Sequence, residues 1–169
     1  MFGILSKGKF TAFVERFLFQ KVNHFPKSSE ITRKDSMHRN ISRMQTAYGL
    51  KNFNFIPRSF ILPNELSVLQ NDSEKNKGSW YIVKPQASSQ GRGIFITNDV
   101  DEIIPKQNNN IIVSQYINDP YLINGLKFDL RVYVAVTCVH PLRIYIYKEG
   151  LVRFATVPYN KDPESYANR

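Results

Sequence analysis

Phe10, Phe13, Val14, Phe17, Leu18 and Val22 recur at steps of three and four, which predicts an amphipathic helix over 10–22, ended before Pro26. Thr32-Arg33-Lys34-Asp35, a threonine cap with an acid three residues on, leads into Met37, Ile41 and Met44 at helical spacing. A second helix is therefore predicted from about Arg33 to Ala47, closed by Gly49. Its apolar stripe leaves Arg33, Lys34, Arg39 and Arg43 facing solvent. The period then changes. Residues 53–56 and 59–62 read as short strands separated and closed by Pro57 and Pro63. The tract 71–78 is polar throughout and reads as the best internal boundary. Strand-like runs follow at 80–84, 94–97, 111–117, 128–139, 142–147 and 151–156, with Glu149-Gly150 as a hairpin turn between the last two and Asn108 to Asn110 as a turn. Helices first and strands later make an α+β arrangement.

Composition narrows the class. The 169 residues are 42% hydrophobic, enough for one sizeable core, which excludes a disordered tail. The longest apolar run, Val132 to Val139 broken by Thr137, is far short of the roughly 20 residues of a membrane span. A single cysteine, Cys138, can form no internal disulfide and no thiolate metal site, which points to a reducing compartment such as the cytosol. The N-terminus lacks the apolar stretch of a secretory signal. His24, His38 and His140 are scattered and define no metal site.

Charge is uneven. The net charge is +9, and residues 1–60 hold eleven basic against three acidic side chains, whereas the remaining 109 residues hold twelve against eleven. Such a half-chain asymmetry favours an acidic partner. Nucleic acid is not favoured, because no helix-turn-helix pattern, zinc spacing or aromatic RNA-binding motif is present.

The stretch Trp80-Tyr81-Ile82-Val83-Lys84-Pro85, then Ser88-Ser89-Gln90-Gly91-Arg92-Gly93, then Ile94-Phe95-Ile96-Thr97 reads as strand, small-residue loop, strand. Glycines around an arginine let backbone N–H groups close over phosphate oxygens, and Lys84 at the end of the preceding strand can reach the same anion. An isolated pair of glycines more often marks a plain hairpin. Lysine before loop is the reverse of the protein-kinase order, and no P-loop is present. The order looks like that of an ATP-grasp fold, in which the backbone at Ser114-Gln115-Tyr116-Ile117 is the natural candidate to hold adenine. In Lys127-Phe128-Asp129-Leu130-Arg131 the period of two puts Lys127, Asp129 and Arg131 on one strand face. That row suits phosphates, ribose hydroxyls and an acidic substrate, or a structural row of ion pairs.

These segments, with Lys21-Val22-Asn23-His24-Phe25-Pro26 and Glu149-Gly150-Leu151-Val152-Arg153-Phe154-Ala155-Thr156, occur in the order seen in the tubulin tyrosine ligase-like family. The chain most resembles its polyglutamylase members, from about Gln20 to Tyr159. The resemblance implies an ATP-grasp-like ligase with a basic N-terminal domain over 1–78, a central domain with the Gly-rich loop over 79–117, and the start of a C-terminal domain over 118–169. The implied reaction converts a γ-carboxylate in the acidic tubulin tail to an acyl phosphate, which the amine of free L-glutamate attacks. By the same resemblance Lys84 meets the ATP phosphates, Gln90, Gly91, Arg92 and Gly93 form the loop over them, and Gln115, Tyr116 and Ile117 hold adenine. Lys127 and Asp129 complete the nucleotide site, while Arg153, with Arg131 beside it, grips the carboxylate of the incoming glutamate. An arginine suits that task because its planar fork binds carboxylate at two points.

The family's later acidic strand, which carries the Mg²⁺ ligands, has no counterpart among the acids after Asp129, namely Glu149, Asp162 and Glu164. Those ligands are expected beyond Arg169, and no catalytic residue is assigned within the chain. The expectation is an N-terminal fragment of a tubulin-directed glutamate ligase of the cytoplasm and cytoskeleton, including the cilium. The alternative is an inactive tubulin-binding module on the same scaffold. Arg153 favours glutamate over glycine or tyrosine as the amino acid added.

Overall fold

The computed structural model describes residues 25–85, 92–104, 110–160, 162 and 165. The helix expected over 10–22, the turn at Asn108-Asn109, and Gln90 and Gly91 of the expected phosphate loop lie outside the described residues. The chain forms two compact units, Met1–Phe55 and Ile56–Arg169.

The described part of the first unit is helical: α1 (Ser29–Thr32), α2 (Lys34–Tyr48) and α3 (Leu50–Phe53). Helix α2 lacks glycine and proline and is closed by Gly49, whose N–H bonds the Gln45 carbonyl. Its start differs from the expected threonine cap. Thr32 Oγ1 bonds the Ser28 carbonyl, and Arg33 occupies the cap position without a side-chain cap bond. Asp35 is instead buried and held by two guanidinium groups, Arg33 Nε at 3.1 Å and Arg39 Nη2 at 2.8 Å. The buried residues of α2 are Asp35, Ser36 and His38. Met37, Ile41 and Met44 are half-buried, and Arg33, Lys34, Arg39 and Arg43 are exposed as the stripe required. Residues 53–56, expected as a strand, do not pair. The Gln45 amide bonds the Phe53 carbonyl and the Asn52 amide bonds the Tyr48 carbonyl, and these contacts cap a further helical turn instead.

The second unit contains β1 (Ser59–Leu62), α4 (Leu66–Lys75), β2 (Tyr81–Pro85), β3 (Phe95–Thr97), β4 (Ile111–Gln115), β5 (Phe128–Arg131), β6 (Val134–Val139), β7 (Leu142–Ile146) and β8 (Leu151–Phe154). The first four strands form an antiparallel sheet in the order β1-β4-β2-β3. Alternation divides its side chains. One face carries Phe60, Leu62, Tyr81, Val83, Ile111 and Val113, which pack with Leu69 of α4 and with Ile103 into the main core. Residues 71–75 of the polar tract expected as a boundary form the second half of α4. Asp72 within it is buried and bonded by the Tyr81 hydroxyl at 3.0 Å, the Asn76 amide at 3.0 Å and the Arg58 guanidinium at 2.5 Å. A polar sequence thus hides a side chain on which three partners converge.

The remaining strands pair in twos, β5 with β8 and β6 with β7. The run expected as one strand over 128–139 is therefore two, broken at Val132 and Tyr133. Glu149-Gly150 is not a hairpin turn, because β7 and β8 do not pair with each other; the hairpin is β6–β7, turned at His140-Pro141. Gly150 is required for another reason: a Cβ there would lie 2.6 Å from the Arg131 carbonyl oxygen. No helix among the described residues is long and apolar enough to cross a membrane.

Candidate functional site

The site lies on the opposite face of the four-stranded sheet from the main core. In β2, Tyr81 and Val83 enter the core, so Ile82 and Lys84 point to the other side. There Ile82, Ile96, Trp80, Tyr116 and Tyr159 form a second, smaller cluster. Lys84 is half-buried and in register with Ile112 of β4, whose alternation places it on the same face. Beyond β2 the chain turns back into β3, so the expected strand, loop, strand is an antiparallel hairpin. Arg92 and Gly93 are its described loop residues. Gly93 has φ +69°, and a Cβ on it would meet Pro85 Cγ at 3.1 Å, so the loop returns close to the strand that carries Lys84.

At the end of β4 the backbone donors are partly committed. Gln115 N–H donates to the Arg58 carbonyl at 2.8 Å and Tyr116 N–H to the Trp80 carbonyl at 2.7 Å. The N–H of Ile117, an exposed residue, has no hydrogen bond among the described residues. Tyr116 buries its ring, so what this edge presents to solvent is backbone and not the Tyr116 side chain.

Lys127 immediately precedes β5, and its ammonium lies 5.0 Å from the centre of the Tyr116 ring and 5.8 Å from that of Tyr159. It also donates to Tyr116 Oη at 3.4 Å. Tyr159 bonds the Asn118 carbonyl through its hydroxyl at 3.1 Å and the Gly125 carbonyl through its backbone N–H at 2.8 Å. These contacts tie the start of the β5–β8 ribbon to the edge of the four-stranded sheet. Tyr159 was not legible as a site residue. It lies in the irregular stretch after β8, where no periodicity marks it, and only the return of the chain brings it beside Tyr116.

Asp129 of β5 is directly opposite Arg153 of β8. Arg153 Nε donates to Oδ1 at 2.7 Å and Nη2 to Oδ2 at 2.5 Å. The hydrogen bond from Arg153 outweighs desolvation and, aided by the charges of Arg153 and Arg131, holds the Asp129 carboxyl below the usual carboxylate range. The same bond raises the Arg153 guanidinium. Arg131 lies two residues along β5 on the same face as Asp129. It also lines an open cavity of about 350 Å³ with Leu130, Lys148, Glu149 and Leu151. Thus Lys127 meets Tyr116, and Asp129 meets Arg153, through direct side-chain contacts. No group of three or more His, Cys, Asp or Glu side chains able to hold a metal ion occurs among the described residues. Both Asp129 oxygens face Arg153.

The sequence profile of the tubulin-tyrosine ligase family matches residues 13–169. The chain is 50% identical over 150 residues to tubulin polyglutamylase TTLL5 of Homo sapiens, a match that covers 89% of this chain and 12% of that protein. It is 51% identical over 142 residues to tubulin polyglutamylase TTLL6 of Mus musculus, covering 84% and 17%. To tubulin monoglutamylase TTLL4 of Homo sapiens it is 47% identical over 150 residues, covering 89% and 12%. The chain therefore spans less than a fifth of the length of these relatives. Among solved structures, the C-terminal domain of K. lactis Pby1, described as an ATP-grasp enzyme interacting with the mRNA decapping enzyme Dcp2, superposes with a TM-score of 0.62 at 21% identity. That match covers 96% of this chain and 48% of that one, and at this identity the likeness concerns the fold. The mixed helix-and-sheet architecture is part of an ATP-grasp-like fold, as the order of lysine strand and loop implied.

Proposed function

The chain belongs to the tubulin-tyrosine ligase family, and from that premise we propose that it carries the nucleotide-binding and amino-acid-gripping part of an ATP-dependent ligase. That ligase joins free L-glutamate to glutamate side chains of the acidic tubulin tail. The observation that carries the reading is the shared face: Lys84, the Gly93 loop and the Tyr116 edge flank one side of the sheet, and Lys127 reaches that side from the β5–β8 ribbon. A triphosphate along this face meets ammonium groups from two layers. Adenine at the strand edge meets the uncommitted N–H of Ile117, and Gln115 lies beside it at the exposed end of β4. Gln90, Gly91 and Arg92 complete the loop by sequence.

In the proposed chemistry the terminal phosphoryl group passes to the tail γ-carboxylate, and ADP leaves. The glutamate amine then attacks the acyl carbon, an amide forms and phosphate departs. Arg153 and Arg131 act in this scheme by holding the carboxylate of the incoming glutamate, which orients its amine. Substituting Lys84→Ala lowers the affinity for a non-hydrolysable ATP analogue about tenfold or more in calorimetry. Unchanged affinity overturns the reading.

The first unit supports the partner. Arg33, Lys34, Arg39, Arg43 and Lys51 are all exposed there, while the acidic Asp35 is buried among arginines. This basic surface favours a tail rich in glutamate, and with it association with microtubules, cilia included. The same surface is what a catalytically silent tubulin-binding module would use. Binding to microtubules weakens as salt rises and disappears when protease removes the acidic tails. Binding that persists after tail removal counts against the acidic tail as partner.

A further inference from the structure

The buried carboxylate of Asp72 joins two strands at the point where β4 ends. Asp72 lies in α4 with only 5% of its surface exposed. Its Oδ1 takes the Arg58 guanidinium at 2.5 Å, and its Oδ2 takes the Tyr81 hydroxyl at 3.0 Å. The Asn76 amide donates to Oδ1 as well, at 3.0 Å, so both oxygens are engaged. Arg58 and Tyr81 are also the two residues that flank Gln115, the last residue of β4. The Arg58 carbonyl accepts the Gln115 N–H at 2.8 Å, and Tyr81 is the register partner of Gln115 on the other side. One side chain of the helix thus holds both neighbours of Gln115 at once. Arg58 is further fixed against Phe60 of β1, whose ring centre lies 5.6 Å from the guanidinium carbon. Tyr116 and Ile117 follow Gln115 directly and make the edge that supports adenine in the proposed function.

We propose that Asp72 is a positioning residue for the base of the nucleotide: through Arg58 and Tyr81 it ties down the strands on both sides of Gln115, so that the backbone of 115–117 is set before adenine arrives. This rests on the reading of residues 115–117 as the segment that holds adenine. The benefit is preorganisation. A strand end is where backbone hydrogen bonds open first, and an edge that frays must be ordered again at the expense of affinity. Apolar residues of similar volume would often stabilise the core as well as a buried ion pair does, so the gain from a carboxylate here is a fixed geometry. Asp72 touches no nucleotide in this scheme and acts through the two strands.

The test uses the full-length polypeptide and calorimetric titration with non-hydrolysable analogues of ATP and GTP, which share ribose and triphosphate and differ in the base. The native protein prefers the ATP analogue by about tenfold or more. Asp72→Asn turns one acceptor oxygen into an amide donor, so Arg58 and Tyr81 can no longer both be held. Affinity for the ATP analogue then falls about tenfold, while affinity for the GTP analogue changes by less than about twofold, and the preference for adenine collapses. Arg58→Gln removes the charged tether but keeps the carbonyl that accepts the Gln115 N–H, and it carries the same test should Asn at position 72 disturb folding. Leu69→Ala weakens the same helix without removing a partner of Asp72, and it leaves the ratio of the two affinities unchanged. Equal losses for both analogues in Asp72→Asn, or a collapsed ratio in Leu69→Ala as well, overturn the proposal in favour of plain stabilisation of the sheet. An unchanged ratio in both Asp72→Asn and Arg58→Gln overturns it while the reading of the edge stands. If the native protein binds the two analogues equally, the reading of residues 115–117 fails and the proposal with it.

Discussion

The four-stranded sheet and the two ribbons are built from strands of similar composition and end in opposite states. Ile111–Gln115 and Tyr81–Pro85 bury most of their side chains, whereas in Val134–Val139 and Leu142–Ile146 nearly every residue is exposed, Ile144, Tyr145 and Ile146 among them. The difference is not in the strands. Sheet β1-β4-β2-β3 has α4 and Ile103 on one face and the Trp80, Tyr116 and Tyr159 cluster on the other. The two-stranded ribbons have hydrogen bonds along one edge, and among the described residues no second layer covers their apolar side chains. The lesson is that apolar strand content measures the capacity to be buried, and a covering layer decides whether it is. The candidate residues divide along the same line: Asp129, Arg131 and Arg153 sit on the exposed β5–β8 ribbon, while Lys84 sits on the four-stranded sheet.

The largest effect that would sharpen this contrast comes from paired truncations followed by urea unfolding. Leu69 is fully buried, and Leu69→Ala costs about 2–5 kcal/mol. Ile144 is half exposed, and Ile144→Ala shifts stability by no more than about 0.5 kcal/mol. Equal losses at the two positions would break the comparison. A smaller effect is expected at the polar pin of the sheet. Tyr81→Phe removes one donor from buried Asp72, which keeps Arg58 and Asn76, and costs about 1–2 kcal/mol.

That substitution also has a signature in pH. Burial first, and then the bond to Asp72, push the Tyr81 hydroxyl up to about 12. The folded state therefore retains a proton that the unfolded chain gives up near pH 10. Its contribution is complete below about pH 10 and is lost as the pH rises through about 12. In alkaline denaturation followed by tyrosinate absorbance, the native protein loses stability over that interval, and the component is missing from Tyr81→Phe. The smallest effect lies in the first unit. Burial alone would raise Asp35, but the bonds from Arg33 and Arg39 outweigh it and hold the carboxyl down to about 2. Stability from this group is present above about pH 4 and is lost as the pH falls toward about 2. Arg39→Ala shifts the acid unfolding midpoint of the first unit upward, as read by circular dichroism.

What the sequence by itself determined is local. Strand alternation placed Ile82 and Lys84 opposite Tyr81 and Val83, and Lys127, Asp129 and Arg131 on one face, because a period of two requires nothing beyond the extended backbone. Helix α2 and its stop at Gly49 were legible for the same reason, since helical spacing and a glycine are neighbours in sequence. The tertiary structure decided what depends on distant partners. Residues 71–78 read as a polar boundary because the acceptor role of Asp72 shows only when Arg58 and Tyr81 arrive. Glu149-Gly150 read as a turn because a glycine that clears the Arg131 carbonyl looks, in sequence, like one that reverses the chain. Neither the pairing of β5 with β8, which sets Asp129 on Arg153, nor the return of Tyr159 to Tyr116 is written in any local pattern. Pairing across more than twenty residues is chosen by the free energy of the whole layer, and only the folded chain evaluates it.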